Sequence, residues 1–120
     1  MELKEIIIKT VNILNEKKAN DICVYEIGEK SGFADYLLVC TGNNLRQVGA
    51  LCDELEDKLA EIGVVFKSVE GRNDSGWILL DYGDFIINIF TPEQRNHYNI
   101  DRLWNDCIKL DINFENKVGE

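Results

Sequence analysis

The chain lacks the ligand patterns of a metal or redox protein. Its four cysteines, Cys23, Cys40, Cys52 and Cys107, form no C-x-x-C pair, and His97 is the only histidine. Zinc sites need thiolates or imidazoles clustered at short spacings, so neither a metal site nor another cofactor is expected. The cysteines sit beside aliphatic residues, as in Ile22-Cys23-Val24 and Val39-Cys40-Thr41. Buried, reduced thiols acting as small hydrophobes in a reducing compartment are the expectation. A Cys/His catalytic pair would rest on a tertiary contact that the sequence does not announce.

Long apolar runs are missing as well. Ile6-Ile7-Ile8 is far too short for a signal-peptide core or a membrane span, and Met1 to Glu5 ahead of it is charged. The expected address is the bacterial cytoplasm, with no membrane partner. Positive charge is scarce too: 13 Lys and Arg stand against 22 Asp and Glu, a net charge of -9. That balance argues against direct binding to nucleic acid or anionic lipid and favours a basic protein partner, although an acidic surface also serves solubility alone. Absent, finally, are a P-loop and a Gly-Ser loop leading into a spaced acidic pair, the devices by which nucleotide-handling enzymes hold phosphates.

What is present reads as one α/β domain over residues 1–110, with 111–120 as a tail that is either a docked strand or a frayed end. Leu3, Ile6, Ile7, Val11 and Leu14 recur at helical spacing, which predicts a helix over Glu2 to Lys17. Asp21 to Ile27 and Tyr36 to Thr41 read as strands around a Gly28 to Gly32 loop. Asn44 can cap a second helix in capping-box fashion with Gln47, and Gly63 can end it. Val64 to Glu70 is a third strand, a hairpin follows, and Thr91-Pro92 opens a C-terminal helical region. The order implies a mixed five-stranded sheet with flanking helices.

The hairpin, Gly76 to Phe90, is the most telling segment. With Tyr82-Gly83 as a two-residue loop, Asp81 faces Asp84, Leu79 faces Ile86 and Trp77 faces Asn88 on one side. Ile78, Leu80, Phe85, Ile87 and Ile89 point to the other, which is core. Two carboxylates directly opposite each other destabilise a hairpin, and something cationic would relieve them. Trp77 then reads as an interface anchor whose removal leaves thermal unfolding close to wild type, while Trp104, in an apolar helical stripe, reads as core. Arg95, His97 and Tyr98 form a polar aromatic cluster, and a lone histidine beside a cap is usually solvated.

The run Gly76-Trp77-x-Leu79-Leu80-Asp81-Tyr82-Gly83-Asp84, followed by Ile89-Phe90, resembles the signature of the Iojap family, whose bacterial members are ribosomal silencing factors. Further matches are Ala19-x-Asp21-Ile22, Ser31, Ala34-Asp35-Tyr36, Thr41-Gly42, Gln47-Val48, Gly63, Glu70-Gly71, Arg95, Tyr98 and Leu103-Trp104. Three departures stand out: Asn88 where many members have His, Asn44 in place of a Ser, and Cys107 in place of an Ala. The resemblance implies a nucleotidyltransferase-like architecture without its catalytic motif. It also implies a translation repressor that binds the large ribosomal subunit through protein L-fourteen and blocks subunit joining. The implied contact set is Trp77, Leu79, Asp81, Tyr82, Asp84, Ile86 and Asn88, on a face that a homodimer would cover in the free protein. The alternative is a metal-dependent nucleotidyl-transfer enzyme using Asp81 and Asp84. A merely turn-flanking role is the common one for an isolated D-x-G-D.

Overall fold

Helix α1 (Leu3–Glu16) begins with a reciprocal cap between Glu2 and Glu5 and buries Ile7, Thr10, Val11, Ile13 and Leu14 on one stripe. The buried Thr10 hydroxyl donates to the Ile6 carbonyl at 2.7 Å, which removes the cost of placing it there. The computed structural model describes residues 1–71 and 75–112. Strand β1 (Asn20–Glu26) follows, with an irregularity between Asn20 and Cys23 where Asp21 takes a positive φ of 48°. A short helix α2 (Gly28–Ser31) occupies the expected loop, and β2 (Tyr36–Thr41) follows as anticipated.

Helix α3 (Leu45–Glu61) is capped by the Asn44 side chain, which accepts from the Gln47 amide at 2.9 Å. The Gln47 side chain reaches back to the Asn43 amide, one residue earlier than a capping box requires. Gly63, at φ +81°, lies just beyond the end of the helix. Strand β3 is short (Ser68–Glu70), and β4 (Trp77–Asp81) with β5 (Phe85–Phe90) forms the hairpin. Thr91 caps α4 (Pro92–Tyr98), which turns through Asn99 into α5 (Ile100–Leu103).

Among the described residues the sheet has six strands in the order β3-β4-β5-β2-β1-β6, not five. The addition is β6 (Ile108–Lys109), two exposed residues that pair with Glu26 and Tyr25 at the edge of the sheet. A strand that short has no periodicity to detect. Leu110 then donates its amide to the Val24 carbonyl, and Ile112 packs against the core, whereas residues 113–120, including Phe114 of the tail, lie outside the described residues. Strands β2 and β5 are parallel; the other neighbours are antiparallel.

The two faces of the sheet are unequally covered. Helices α1 and α3 seal one face over Leu14, Val24, Leu38, Leu55, Leu80 and Ile87, all without measurable exposure. Leu80→Ala is expected to lower stability by about 3 kcal/mol, the usual loss for a core leucine with a cavity left behind. Denaturant midpoints would register it, and an unchanged midpoint would place Leu80 outside the core. The second face holds a smaller cluster of Cys23, Tyr25, Ile27, Leu37, Val39, Phe90 and Trp104. Cys23, Cys40 and Cys52 are buried and Cys107 half-buried, none of them in a disulfide. Burial pushes the Cys40 thiol up to about 12, which keeps it protonated and unreactive. No helix among the described residues is long and apolar enough to cross a membrane.

Candidate functional site

The hairpin keeps the expected faces but not the expected register. Trp77 pairs with Phe90, Leu79 with Asn88 and Asp81 with Ile86, a shift of two residues that preserves which side chains share a face. The loop is Gly83-Asp84, closed by a Tyr82 amide to Phe85 carbonyl bond at 3.0 Å. Gly83 sits at φ +88° in the first central position, where a type II′ hairpin calls for glycine. Shifting the loop draws Tyr82 into the ladder on the core face, where its ring stacks on Phe85 at 4.8 Å and only 2° from parallel. Tyr82 is 8% exposed, and burial pushes its hydroxyl up to about 12. It points away from Trp77.

Asp81 and Asp84 are therefore not opposed. The Asp81 Oδ1 accepts from the Gly83 amide at 2.8 Å, fixing the turn, while Asp84 is exposed at its tip. A cation lies at the turn itself: a Cβ built on Gly83 would lie 2.9 Å from the Lys67 Nζ. Lys67 thus lies across the turn. The two carboxylates also stand apart from the one side-chain group close enough to share an ion among the described residues, Cys52, Asp53 and Glu56 on α3.

At the far end of the same face, Trp77 is half-buried. Its indole Nε1 donates to the Asn88 Oδ1 at 2.9 Å, and its ring stacks on Phe90 at 5.1 Å and lies 4.5 Å from Tyr98 of α4. Asn88 itself is 1% exposed and donates at 3.5 Å to the Leu38 carbonyl. The departure at this position consequently lies beneath the proposed partner face, not on it. Between Trp77 and the turn, Leu79, Asp81 and Ile86 are half-buried. Among the described residues no helix covers them as α1 and α3 cover the other face, which leaves an apolar strip bordered by Asp81 and Asp84. Of the seven residues singled out from sequence, the structure brings Trp77, Leu79, Asp81, Ile86 and Asn88 to one face and turns Tyr82 to the other.

A network that the sequence reading passed over holds this end of the molecule together. Arg95 donates to Asp101 from Nε (3.1 Å) and Nη2 (3.0 Å), and from Nη1 to the Thr41 hydroxyl (2.9 Å) and the Asp21 carbonyl (2.5 Å). Tyr25 donates to the Asp101 Oδ1, the oxygen that also accepts from Arg95 Nη2, at 2.7 Å. Burial works against ionising Asp101, but the bonds from Arg95 and Tyr25 outweigh it and hold the carboxyl below its ordinary value. Arg95 thereby ties α4 and α5 to β1 and β2, and α4 carries the Tyr98 that rests on Trp77. Its sequence signals were an arginine next to a cap and a match to the family pattern. His97 is exposed and meets Tyr98 edge-on at 4.9 Å.

The family model described as ribosomal silencing factor during starvation matches residues 1–119. The ribosomal silencing factor RsfS of Bacillus subtilis is 34% identical over 114 residues, 95% of this chain and 97% of that protein. A crystal structure of a Chromobacterium violaceum protein superposes with a TM-score of 0.84 at 32% identity, covering 88% of each chain. A Bacillus halodurans structure does so at 0.80 and 30%, covering 91% of this chain and 99% of that one. A family match over nearly every residue, joined to a relative above 30% identity along almost its whole length, shows that the chain belongs to the ribosomal silencing factor family.

Proposed function

We propose that this protein is a cytoplasmic, non-enzymatic translation repressor that binds protein L-fourteen of the large ribosomal subunit and keeps the small subunit from joining. The observation that carries the reading is the uncovered strip of Leu79 and Ile86 with Asp81 and Asp84 at its border. Ribosomal proteins are usually basic, so an apolar centre with acidic edges supplies buried contact area and charge steering together. The names borne by its relatives, ribosomal silencing factors in several bacteria, support the ribosomal setting. Asp81 is engaged in the turn, which favours recognition over metal-assisted nucleotidyl transfer.

The test is charge reversal. Asp81→Lys with Asp84→Lys is expected to weaken binding to purified large subunits by about 1–2 kcal/mol at low salt, with a smaller loss at high salt. Lys67 already offsets part of the acidic field, which limits the effect. Co-sedimentation reads it, with circular dichroism confirming the fold; binding that survives at both salt concentrations would rule out the acidic contact. Free in solution, the protein is expected to cover the same strip in a two-fold homodimer that large subunits dissociate.

A further inference from the structure

Phe33 is 58% exposed, yet its backbone is tightly held. Gly32 takes φ +73° to end α2, and a Cβ there would meet nothing, so the glycine is needed for its conformation alone. The Ser31 hydroxyl accepts from the amides of Phe33 (3.2 Å) and Ala34 (3.4 Å) and donates to the Ala34 carbonyl at 3.0 Å. Ala34 is buried, and the Asp35 amide donates to the Asp84 carbonyl at 2.8 Å. The loop is stitched to the hairpin turn, and Phe33 stands within about 7 Å of chain from the stitch.

Behind the ring, Trp104 meets it edge-on at 6.2 Å. Lys30 lies 5.4 Å above the Trp104 ring and bonds to the Leu103 carbonyl and to Asp106, which neutralises its charge. Leu103 is 60% exposed. Trp104 and Ile86 pack on the same cluster, and Leu37 from that cluster pairs with Ile86. Phe33, resting against Trp104, and Ile86 accordingly border one apolar cluster, and exposed Leu103 directly precedes Trp104 in the chain.

We infer that Phe33, with exposed Leu103 adjoining its packing partner Trp104 in the chain, is a second anchor of the docking face and takes an aliphatic or aromatic side chain of the same basic ribosomal protein. The inference rests on the docking reading above. An aromatic ring on a fixed backbone has two torsions to lose on binding, so most of its buried area becomes affinity. Charge selects the occupant. Exposed Asp35, two residues on from Phe33, and exposed Asp84, joined to it through the backbone, supply negative charge while Lys30 is already paired, so the surroundings favour a basic surface. A second copy of a chain with net charge -9 brings like charge to the same face, so the homodimer expected there is the weaker complex and large subunits displace it.

Titration of purified large subunits tests this with Phe33→Ala, Phe33→Lys and Leu79→Lys. Phe33→Ala is expected to weaken binding about 30-fold without lowering the unfolding temperature. Phe33→Lys keeps an aliphatic stem over Trp104 but repels a basic partner, and is expected to weaken binding at least as much. If both Phe33 variants bind like wild type while Leu79→Lys does not, the second anchor is wrong and the docking reading stands. If Leu79→Lys also binds like wild type, the docking reading falls and takes the anchor with it. Loss of self-association with subunit binding intact would assign Phe33 to a second copy, against the inference.

Discussion

Trp77→Ala is expected to destabilise the folded protein by about 4 kcal/mol, as well as to weaken ribosome binding. The stability term follows from what the ring touches. Phe90 and Tyr98 pack on it, and the buried Asn88 Oδ1 takes its hydrogen bond from the indole. Truncation therefore opens a cavity under α4 and strands a buried acceptor, two costs that add. Half-exposure of the ring reduces the first cost, and the orphaned amide restores much of the difference. Trp77→Phe separates the two, since it keeps most of the packing and loses only the N–H; a loss of about 1–2 kcal/mol is expected for it. Denaturant midpoints for both variants decide the matter. Equal midpoints for wild type and Trp77→Ala would mean that the ring is a surface anchor with no share in folding, as the hairpin pattern alone suggested.

That contrast shows what alternation along a strand can and cannot say. Trp77, Leu79 and Asp81 share a face by the period of two, and the structure agrees. What the period cannot report is whether something later in the chain covers that face. Tyr98 does so over Trp77 and Phe90, from a helix that the sequence placed only in outline. Register was equally out of reach, because Tyr82-Gly83 and Gly83-Asp84 are both plausible two-residue loops. The stacking of Tyr82 on Phe85 favours the second, and it is visible only once both rings are seen on the core face. The main helices and the first two strands were legible because caps and apolar stripes are local. Strand β6, two residues long, and the partners of Arg95, up to 74 residues away in sequence, were not.

Arg95→Ala is expected to cost about 4 kcal/mol at neutral pH, because it leaves a partly buried Asp101 carboxylate with Tyr25 as its remaining side-chain donor. The Thr41 hydroxyl and the Asp21 carbonyl lose a partner in the same stroke. The deficit should depend on pH with a definite sign. Asp101 has a lowered folded pKa, so its contribution is present above the ordinary carboxylate value and is lost as pH falls through the folded value. Wild type then loses stability on acidification below about pH 4, and the gap to the variant narrows over that window. Arg95→Lys keeps the charge but not the planar fork, and is expected to recover less than half of the loss. Because α4 carries the ring that rests on Trp77, the variants should also shift tryptophan emission toward that of a solvated indole before global unfolding. A gap between wild type and Arg95→Ala that stays constant from pH 7 to pH 3 would show that the arginine acts through packing alone, with no contribution from its bond to Asp101.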